Sequence, residues 1–403
     1  MRRAIVNGVV RVTVLIALLS GPDVWEVSAI PLTDVSFADA KLQECVQRVA
    51  QARGWVNTEE VTSLVCPSDG FGSFDGMTRL DGLEAFVNLA RLNLRYNAIA
   101  DLTPIEGLTN LRVLLLEGNV ISELSRLVGL TNLETLDIAF NSIADLTPLA
   151  GLANLSTLNV AGNGITNLTP LAGLANLTQL NVSGNQNFGA FIVLTDLTPL
   201  AGLTNLRTLD VSFNGITDLT PLAGLTNLMQ LNVSGNQNFE SSTFLADLMP
   251  LAGLTNLMVL YVGFSGIADL TPLAGLTDLT TLDVGFNDIT DLTPLAGLTN
   301  LTQLYVGFND ITDLTPLAGL TNLTGLDLGA NHIVDLNPLT GLSNLTGLFL
   351  NDNLIIDINP LIGLTQLEFL GLTGNLDLSC SDLDALEAAL ADTFINRPVT
   401  CLP

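Results

Sequence analysis

Hydrophobic and polar positions recur with a fixed period along most of the chain. In residues 279–300, "LTTLDVGFNDITDLTPLAGLTN", Leu282 and Val284 alternate with Asp283, and leucines then follow at spacings of three. The alternation predicts a short strand with one face turned inward. The phrase "DLTPLAGL" predicts a short helical turn, which we expect the threonine to cap, the proline to start and the glycine to end.

The asparagine that follows each strand measures the period. Its successive positions are 22 residues apart, except for two intervals of 29, from 185 to 214 and from 236 to 265. A fixed period of this length predicts a solenoid, in which each unit buries its apolar face on its neighbours. We place the long units at 177–205 and 228–256 and expect their extra residues to form loops on one edge. The column comprises Asn97, Asn119, Asn141, Asn163, Asn185, Asn214, Asn236, Ser265, Asn287, Asn309, Asn331, Asn353 and Asn375.

The amides of this column carry both hydrogen-bond donors and an acceptor. An amide turned inward at this point can bind backbone groups of its own turn and of neighbouring coils. We therefore expect a ladder of hydrogen bonds along the solenoid, weakened where Ser265 replaces asparagine.

The overall composition suggests a membrane protein, but the pattern does not. Hydrophobic residues make up 48% of the 403 positions, and the mean hydropathy is +0.49. After residue 30, polar residues or glycine interrupt every apolar run well before the ~18 residues that a membrane-spanning helix needs. The apolar residues therefore belong to a core, and we expect no membrane insertion.

The first residues differ from the repeats. Arginines precede the apolar run "VTVLIALL" (12–19), and the small-residue sequence "VSA" (27–29) follows it. This order is typical of a secretory signal peptide, here residues 1–29 with cleavage after Ala29, although the long polar stretch leaves an earlier cut after Ser20 open. We expect an exported protein, secreted or periplasmic, without a lipid anchor.

The four cysteines lie at the two ends of the chain. Cys45 and Cys66 are 21 positions apart, as are Cys380 and Cys401, and four cysteines allow three pairings. If the repeats stack at about 4.8 Å per strand, the two ends lie too far apart for a disulfide, which needs Cα atoms within about 7 Å. We therefore expect the disulfides Cys45–Cys66 and Cys380–Cys401. The single histidine, His332, is remote from both pairs, so we expect no metal site.

The motif "LxxLxLxxNxI" followed by "xDLTPLAGLTN" resembles the 22-residue class of leucine-rich repeats found in bacterial internalin-like proteins. It covers about residues 61–380 in thirteen units. The resemblance implies an α/β solenoid, a right-handed superhelix with a parallel sheet on its concave face and short helical turns on its convex side. No wall-anchoring tail or immunoglobulin-like module follows the repeats, so surface display and host-cell entry are not implied.

The flanks of the repeats resemble the helical caps of such solenoids. Residues 37–53 and 382–394 both place apolar residues at helical spacing. We therefore expect an N-terminal cap over 30–60, leucine-rich repeats over 61–380 and a C-terminal cap over 381–403, each cap joined to the adjoining coil by its disulfide.

The charge is strongly negative. The net charge is −27, and after Arg126 only Arg207 and Arg397 are basic. Such a surface repels nucleic acid and anionic membranes. An acidic column before the "LTPL" phrase could bind a basic partner or cations, or could cap the turns on a solvated edge; we favour the second interpretation because nearly every coil carries it. The column comprises Asp101, Glu123, Asp145, Asn167, Asp196, Asp218, Asp247, Asp269, Asp291, Asp313, Asp335 and Asp357.

Enzyme activity finds no support in the pattern. His332 occupies a variable turn position with no nucleophile paired to it. The sequence has no glycine-rich phosphate loop and no clustered metal ligands. We expect a protein that is not an enzyme and carries no cofactor.

The informative residues are those that interrupt the repetition on the outward face of the strands. Two of the chain's three tyrosines, Tyr261 and Tyr305, flank Asp283 in one outward column, and Asp327 and Phe349 follow. At the sheet spacing this stripe spans roughly 20 Å. Exposed rigid rings are common at binding sites, whereas the alternative is cross-strand packing that stiffens the sheet. We expect these five residues to form a ligand-binding site.

The phenylalanines at the strand exits have a different interpretation. Phe264, Phe286 and Phe308 follow the strands of the same coils. We expect them to be half-buried under the turn.

Together these features predict an exported, monomeric leucine-rich repeat protein that binds a protein partner on its concave face. The acidic stripe suggests that this partner is basic. Recognition of an extracellular glycan is one alternative, because aromatic rings and carboxylates also bind sugars. A structural protein that self-associates along its edges is another.

Overall fold

The structure is a computed structural model. It describes residues 29–68, 76–187, 192–238, 243–398 and 401. Apart from Ala29, the predicted signal peptide lies outside the described residues.

Most described strands belong to one sheet of 15 parallel strands, and successive strands of this sheet pair in register. Its strands are β1 Ser63–Val65, β2 Arg91–Asn93, β3 Val113–Leu115, β4 Thr135–Asp137, β5 Thr157–Asn159, β6 Gln179–Asn181, β9 Thr208–Asp210, β10 Gln230–Asn232, β13 Val259–Tyr261, β14 Thr281–Asp283, β15 Gln303–Tyr305, β16 Gly325–Asp327, β17 Gly347–Phe349, β18 Phe369–Gly371 and β19 Phe394–Asn396.

Each long unit inserts an antiparallel hairpin directly after the ladder asparagine. The first pairs β7 Gln186–Asn187 with β8 Ile192–Val193, and the second pairs β11 Gln237–Asn238 with β12 Thr243–Phe244. Both hairpins therefore project from the edge at which the strands of the main sheet end. Part of each predicted insert lies outside the described residues.

A short 3-10 helix forms the return path of each coil. These helices are Leu83–Ala85, Thr103–Ile105, Ser125–Leu127, Thr147–Leu149, Thr169–Leu171, Thr198–Leu200, Thr220–Leu222, Met249–Leu251, Thr271–Leu273, Thr293–Leu295, Thr315–Leu317, Asn337–Leu339 and Asn359–Leu361. The N-terminal region adds Leu32–Asp34 and Thr58–Glu60. The chain thus forms the predicted α/β solenoid, with the sheet on one side and the helical turns on the other.

The inward residues of all coils form one continuous apolar core. In the coil that starts at residue 279, Leu282, Val284, Ile289 and Leu295 are fully buried. The core extends without a break from Leu42 to Cys401 among the described residues. Each coil therefore buries its apolar face on its neighbours, as a repeat too small to fold alone requires.

The asparagine ladder is formed by three recurring contacts. The amide of Asn309 donates to the carbonyl of Val306 in its own coil (3.0 Å) and to that of Val284 in the preceding coil (3.1 Å), while its oxygen accepts the N–H of Ile289 (2.9 Å). Nearly the whole column is buried. The predicted ladder is confirmed, and it links the strand exits of adjacent coils.

The ladder is interrupted at Ser265, which is fully buried. Its hydroxyl donates to the carbonyl of Gly263 (3.0 Å), within its own turn. The carbonyls of Val233 and Val262 each accept one ladder amide, whereas the carbonyl of Val284 accepts two. An asparagine at this position would supply the missing donors.

The cap of each helical turn differs from the prediction. The threonine of "TP" makes no capping bond through its side chain; it is the first helical residue. Instead, the carboxylate of Asp291 accepts the N–H of Thr293 (2.8 Å). Hydrogen bonds from the hydroxyl and the N–H of Thr293 lower the pKa of Asp291. Because an oxygen two residues earlier can reach both donors, the aspartate is the better acceptor, and turn capping explains the aspartates of the acidic column.

Both ends of the core are covered by a helix. Helix α1, Ala40–Arg53, begins at Asp39, whose carboxylate accepts the N–H of Lys41, and it buries Leu42 and Val46. The same carboxylate accepts the N–H of Thr78, which joins the helix to the first coil.

The C-terminal end has a similar arrangement. Helix α2, Cys380–Ala389, buries Leu383 and Leu386, and Leu390 follows in the core. Strand β19 then extends the parallel sheet by one strand beyond the last repeat. The sequence pattern did not predict this strand, because it lies outside the period.

The four cysteines form two disulfides. Cys45 is bonded to Cys66 with Cα atoms 5.9 Å apart, and Cys380 is bonded to Cys401 with Cα atoms 5.2 Å apart. Each bridge joins its helix to chain 21 residues further on. The open ends of the core are thereby fixed to the helices that cover them.

We predict that Ser265→Asn stabilises the protein by about 1 kcal/mol, because the new amide supplies donors to Val233 and Val262. Asn214, which also follows a long unit, already makes the equivalent bonds to Val182 and Val211. Urea denaturation measures the effect.

The opposite change provides the control. Asn287→Ala should destabilise by more than Ser265→Asn stabilises, since it leaves the carbonyl of Val262 and the N–H of Ile267 without their amide partner. Negligible effects of both variants on the free energy of unfolding would contradict a stabilising role for the ladder.

We also predict that reduction of the disulfides lowers stability by about 2 to 4 kcal/mol per bridge if the solenoid unfolds cooperatively. Non-reducing peptide mapping should recover the two bonded pairs first. A bond between Cys66 and Cys380 in a monomer would be incompatible with stacked coils.

Candidate functional site

The five residues of the predicted site lie side by side on the outer face of the sheet. The pairing registers align Tyr261 with Asp283, then Tyr305, Asp327 and Phe349 on successive strands. Tyr261 and Phe349 are exposed, and the other three are half-buried. With strands about 4.8 Å apart, the two tyrosines stand roughly 10 Å from one another across Asp283.

Most residues of this outward column stabilise the turn that follows their own strand. Their side-chain oxygen accepts the N–H two residues later, as Asp283 does from Gly285 (2.9 Å) and Asn181 from Ser183 (2.9 Å). This contact closes the backbone at the strand exit in an Asx turn. The same bond is made by Asn93, Asp137, Asn159, Asp210, Asn232 and Asp327.

The tyrosines and Phe349 cannot make this bond. A phenol or phenyl ring has no acceptor within reach of the N–H two residues on, so these coils forgo a contact that the column otherwise provides. Their presence is therefore not explained by the turn. These residues were identified in the sequence because they depart from the repeat. At the same positions the hydrogen bond to the N–H two residues later is lost.

Tyr305 is held in position by its neighbours. Its hydroxyl donates to the side-chain oxygen of Gln303 (3.1 Å), whose amide donates in turn to Thr324 (2.8 Å) on the next coil. The glutamine lies across Gly325, where a Cβ would come within 2.9 Å of its amide carbon. A glycine is thus needed for the arrangement that orients the tyrosine.

The two aspartates of the site are electrostatically unusual. Burial raises the pKa of Asp283 above its ordinary range, although the hydrogen bond from the N–H of Gly285 acts to lower it. The charge of Asp327 adds to the rise. Burial also raises the pKa of Asp327. Both carboxylates are thus partly desolvated on a face that a ligand can approach.

The two halves of the sheet face differ in charge pairing. In the N-terminal half, Arg95 forms ion pairs with Glu117 and Asp137. In the C-terminal half, no lysine or arginine occurs in the sequence between Arg207 and Arg397. The carboxylates near Tyr261 and Tyr305 are therefore not neutralised by a basic side chain of their own coils.

A shallow depression lies beside Tyr261 on the N-terminal side. It encloses about 220 Å³ and is lined by Asp210, Gln230, Asn232 and Thr208. The amide of Asn232 donates to Asp210 (3.3 Å). The depression can accommodate one side chain of a partner next to the tyrosine ring.

At the other end of the stripe, the structure adds residues that the sequence pattern did not single out. Phe349 packs on Phe369 with ring centroids 4.8 Å apart, and Phe369 on Phe394 at 5.8 Å. Phe394 belongs to β19 and is 65% exposed. The aromatic stripe therefore continues beyond the last repeat, onto a strand that lies outside the repeat period.

About half of each phenylalanine side chain at the strand exits is buried, as expected. Phe264, Phe286 and Phe308 are 45%, 42% and 52% exposed. Each has a positive φ, in the left-handed region that favours glycine. His332 is also exposed, as predicted, with its ring 3.6 Å from Asp310.

A repeat solenoid with capped ends and an open sheet face defines the class of repeat-protein binding scaffolds. A model for the leucine-rich repeat region matches residues 73–313, and a model for two leucine-rich repeats matches residues 299–341. The chain belongs to the leucine-rich repeat family, and it is internalin-like. Members of this fold are typically protein-interaction modules.

Known structures of high similarity are bacterial leucine-rich repeat proteins. The internalin InlF of Listeria monocytogenes is 34% identical, with a TM-score of 0.72 over 91% of this chain and 97% of that one. The functional domain of Listeria monocytogenes InlJ, which includes a cysteine ladder, is 25% identical, with a TM-score of 0.67 over 86% and 76%. The Leptospira interrogans protein LIC12759 shares the fold at 23% identity, with a TM-score of 0.67 over 87% and 98%. No curated protein sequence matches the chain.

We predict that Asp283→Asn raises the melting temperature at neutral pH. The amide keeps the acceptor for Gly285 and removes a desolvated charge. The folded-state pKa of Asp283 lies above the unfolded value near 3.8, so protonation favours folding, and the wild type gains stability as the pH falls through the folded pKa. The advantage of the variant should therefore vanish in acid.

Asp291→Asn is the matched control, because it lies on a turn where the pKa of the carboxyl is lowered. There the charged form contributes stability, which is lost as the pH falls through the folded pKa. Asp291→Asn should not raise the melting temperature at neutral pH. An equal gain in both variants would indicate relief of net charge instead of desolvation at Asp283.

Proposed function

We propose that this protein is exported and binds a basic protein partner on the C-terminal half of its sheet face. The site consists of Tyr261, Asp283, Tyr305, Asp327 and Phe349. The observation that carries the proposal is that the three aromatic residues occupy positions where the rest of the column mostly closes its own turn. These coils give up a structural contact and expose rings in its place.

The charges support a basic partner. Asp283 and Asp327 are partly desolvated, and the neighbouring coils contain no lysine or arginine that could neutralise them. A lysine or arginine placed between the tyrosine rings would pair with Asp283 and contact both rings. Such an arrangement replaces the hydration that the carboxylate of Asp283 has lost.

Several features of the protein are consistent with export. Two disulfides and similarity to internalins are consistent with an extracellular protein. No helix among the described residues is long and apolar enough to span a bilayer. The basic amino terminus and apolar run at 12–19 support a cleaved signal peptide.

Glycan binding is the second candidate. The depression beside Tyr261 is lined by amide, hydroxyl and carboxylate groups together with Leu209, Leu231 and Val259, and such polar groups can hold a sugar ring against an aromatic platform. A neutral glycan would require the tyrosine ring but would bind almost independently of salt concentration, unlike a basic protein.

We predict that Tyr261→Asn or Tyr305→Asn weakens binding of an identified partner by more than about 1 kcal/mol. The melting temperature should not fall, because asparagine restores the Asx bond that the column otherwise makes. A pull-down from the medium of the producing organism and a glycan array supply partners, and calorimetry measures the affinity.

Asn159→Ala is the control in the same column. It removes a bond to the N–H of Ala161 and should lower stability while leaving binding intact. Asp283→Asn should weaken the binding of a basic partner, and a higher salt concentration should weaken this binding further. Normal binding by both tyrosine variants would disprove the site.

A further inference from the structure

The residue before each ladder asparagine has a left-handed backbone conformation in every coil. The position is occupied by Tyr96, Gly118, Phe140, Gly162, Gly184, Phe213, Gly235, Phe264, Phe286, Phe308, Ala330, Asp352 and Gly374, all with positive φ. Glycine adopts this conformation without steric cost, whereas a bulky side chain is strained there. The five phenylalanines are therefore kept at a cost in local backbone energy.

Two of these phenylalanines contact a glycine of the next coil, although Phe140 and Phe213 remain 52% and 56% exposed. A Cβ on Gly162 would lie 2.6 Å from the ring of Phe140, and a Cβ on Gly235 would lie 2.7 Å from that of Phe213. The ring in each pair therefore packs directly over a glycine. This packing gives the isolated rings a structural role.

Phe264, Phe286 and Phe308 have a different arrangement. They occupy three successive coils, and their rings stack in parallel with centroids 3.9 and 4.0 Å apart. About half of each side chain is still exposed. The result is a continuous apolar ridge along the strand-exit edge, outside the proposed site on the sheet face. We call these three residues the phenylalanine stack.

Carboxylates flank the phenylalanines of the stack along the sequence. Asp288 and Asp310 lie two residues after Phe286 and Phe308 and are exposed. Asp283 lies on the sheet side. With no lysine or arginine between positions 207 and 397, the ridge is apolar and its border is acidic, with His332 as the one basic neighbour in the sequence, its ring 3.6 Å from Asp310.

We propose that the phenylalanine stack is a second docking surface, which takes an aliphatic or aromatic side chain flanked by lysine or arginine on a basic protein segment. The apolar side chain packs against the exposed ring edges, and the cations pair with Asp288 and Asp310. A second copy of this chain does not fit, because each copy carries a net charge of −27. The same charge disfavours an anionic lipid surface.

The test uses the full chain as bait for a displayed library of short random peptides. We expect selected sequences to combine a large apolar residue with flanking lysine or arginine. Synthetic peptides from the selection should bind the double variant Phe286→Gly, Phe308→Gly at least about tenfold more weakly. Tyr261→Asn with Tyr305→Asn should leave this binding unchanged, so failure of the proposed sheet-face site and failure of the stack are distinguishable.

Phe140→Gly is the matched control, because it removes a strained ring outside the stack. It should not affect peptide binding. Glycine suits the left-handed turn, so the double variant should keep its fold, as circular dichroism can verify. Asp288→Asn with Asp310→Asn is an independent measurement that leaves the rings in place, and it should also weaken binding and reduce its salt dependence.

Several outcomes would overturn the proposal. Peptides that bind the double variant as well as the wild type, or a selection without basic residues, would contradict it. So would a failure to enrich any sequence. Self-association in sedimentation experiments, or binding to phosphatidylcholine vesicles, that disappears in the double variant would assign the stack to another occupant.

Discussion

The structure depends on the sharing of each coil's apolar face and turn carbonyls with the neighbouring coil. A unit of 22 residues is too short to enclose a core, so its leucines are buried only when another coil is stacked on them. The ladder asparagine performs the same task for polar groups, because its amide binds a carbonyl of its own coil and one of the coil before. Stability is thus a property of neighbouring pairs, and the terminal coils require helices and disulfides to replace the missing neighbour.

These structural roles determine which residues are available to bind a partner. Inward leucines, ladder asparagines and the aspartates that cap the helical turns all bind their own chain. The outward side chains of the strands and the residue before the ladder asparagine are less constrained. Tyr261, Tyr305 and the phenylalanine stack all lie at these positions, so the scaffold tolerates their variation without loss of its core.

The period was sufficient to predict the solenoid, the inward column and the register of the outward stripe, because stacking converts sequence spacing directly into position on the sheet. The conformation at the strand exit could not be read in the same way. Phe286 was expected to be half-buried, and it is 42% exposed, but its positive φ and the stacking of its ring on those of Phe264 and Phe308 were not predicted. The alternation of glycine and aromatic residues at that position was a visible signal of this conformation. Strand β19 was missed because it follows no repeat.

Departures from a repeat become informative when the conformational preference of the position is known. At the column of Tyr261 the backbone favours an asparagine or aspartate oxygen, and at the position of Phe286 it favours glycine. An aromatic ring at either place sacrifices local stability, so its own coil does not explain it. Where a neighbouring glycine lies under the ring, as Gly162 lies under Phe140, the ring gains a contact with the next coil, although it remains 52% exposed. Where exposed rings also lie beside partly desolvated carboxylates, as Tyr261 and Tyr305 do beside Asp283, contact with a partner is the explanation that we propose.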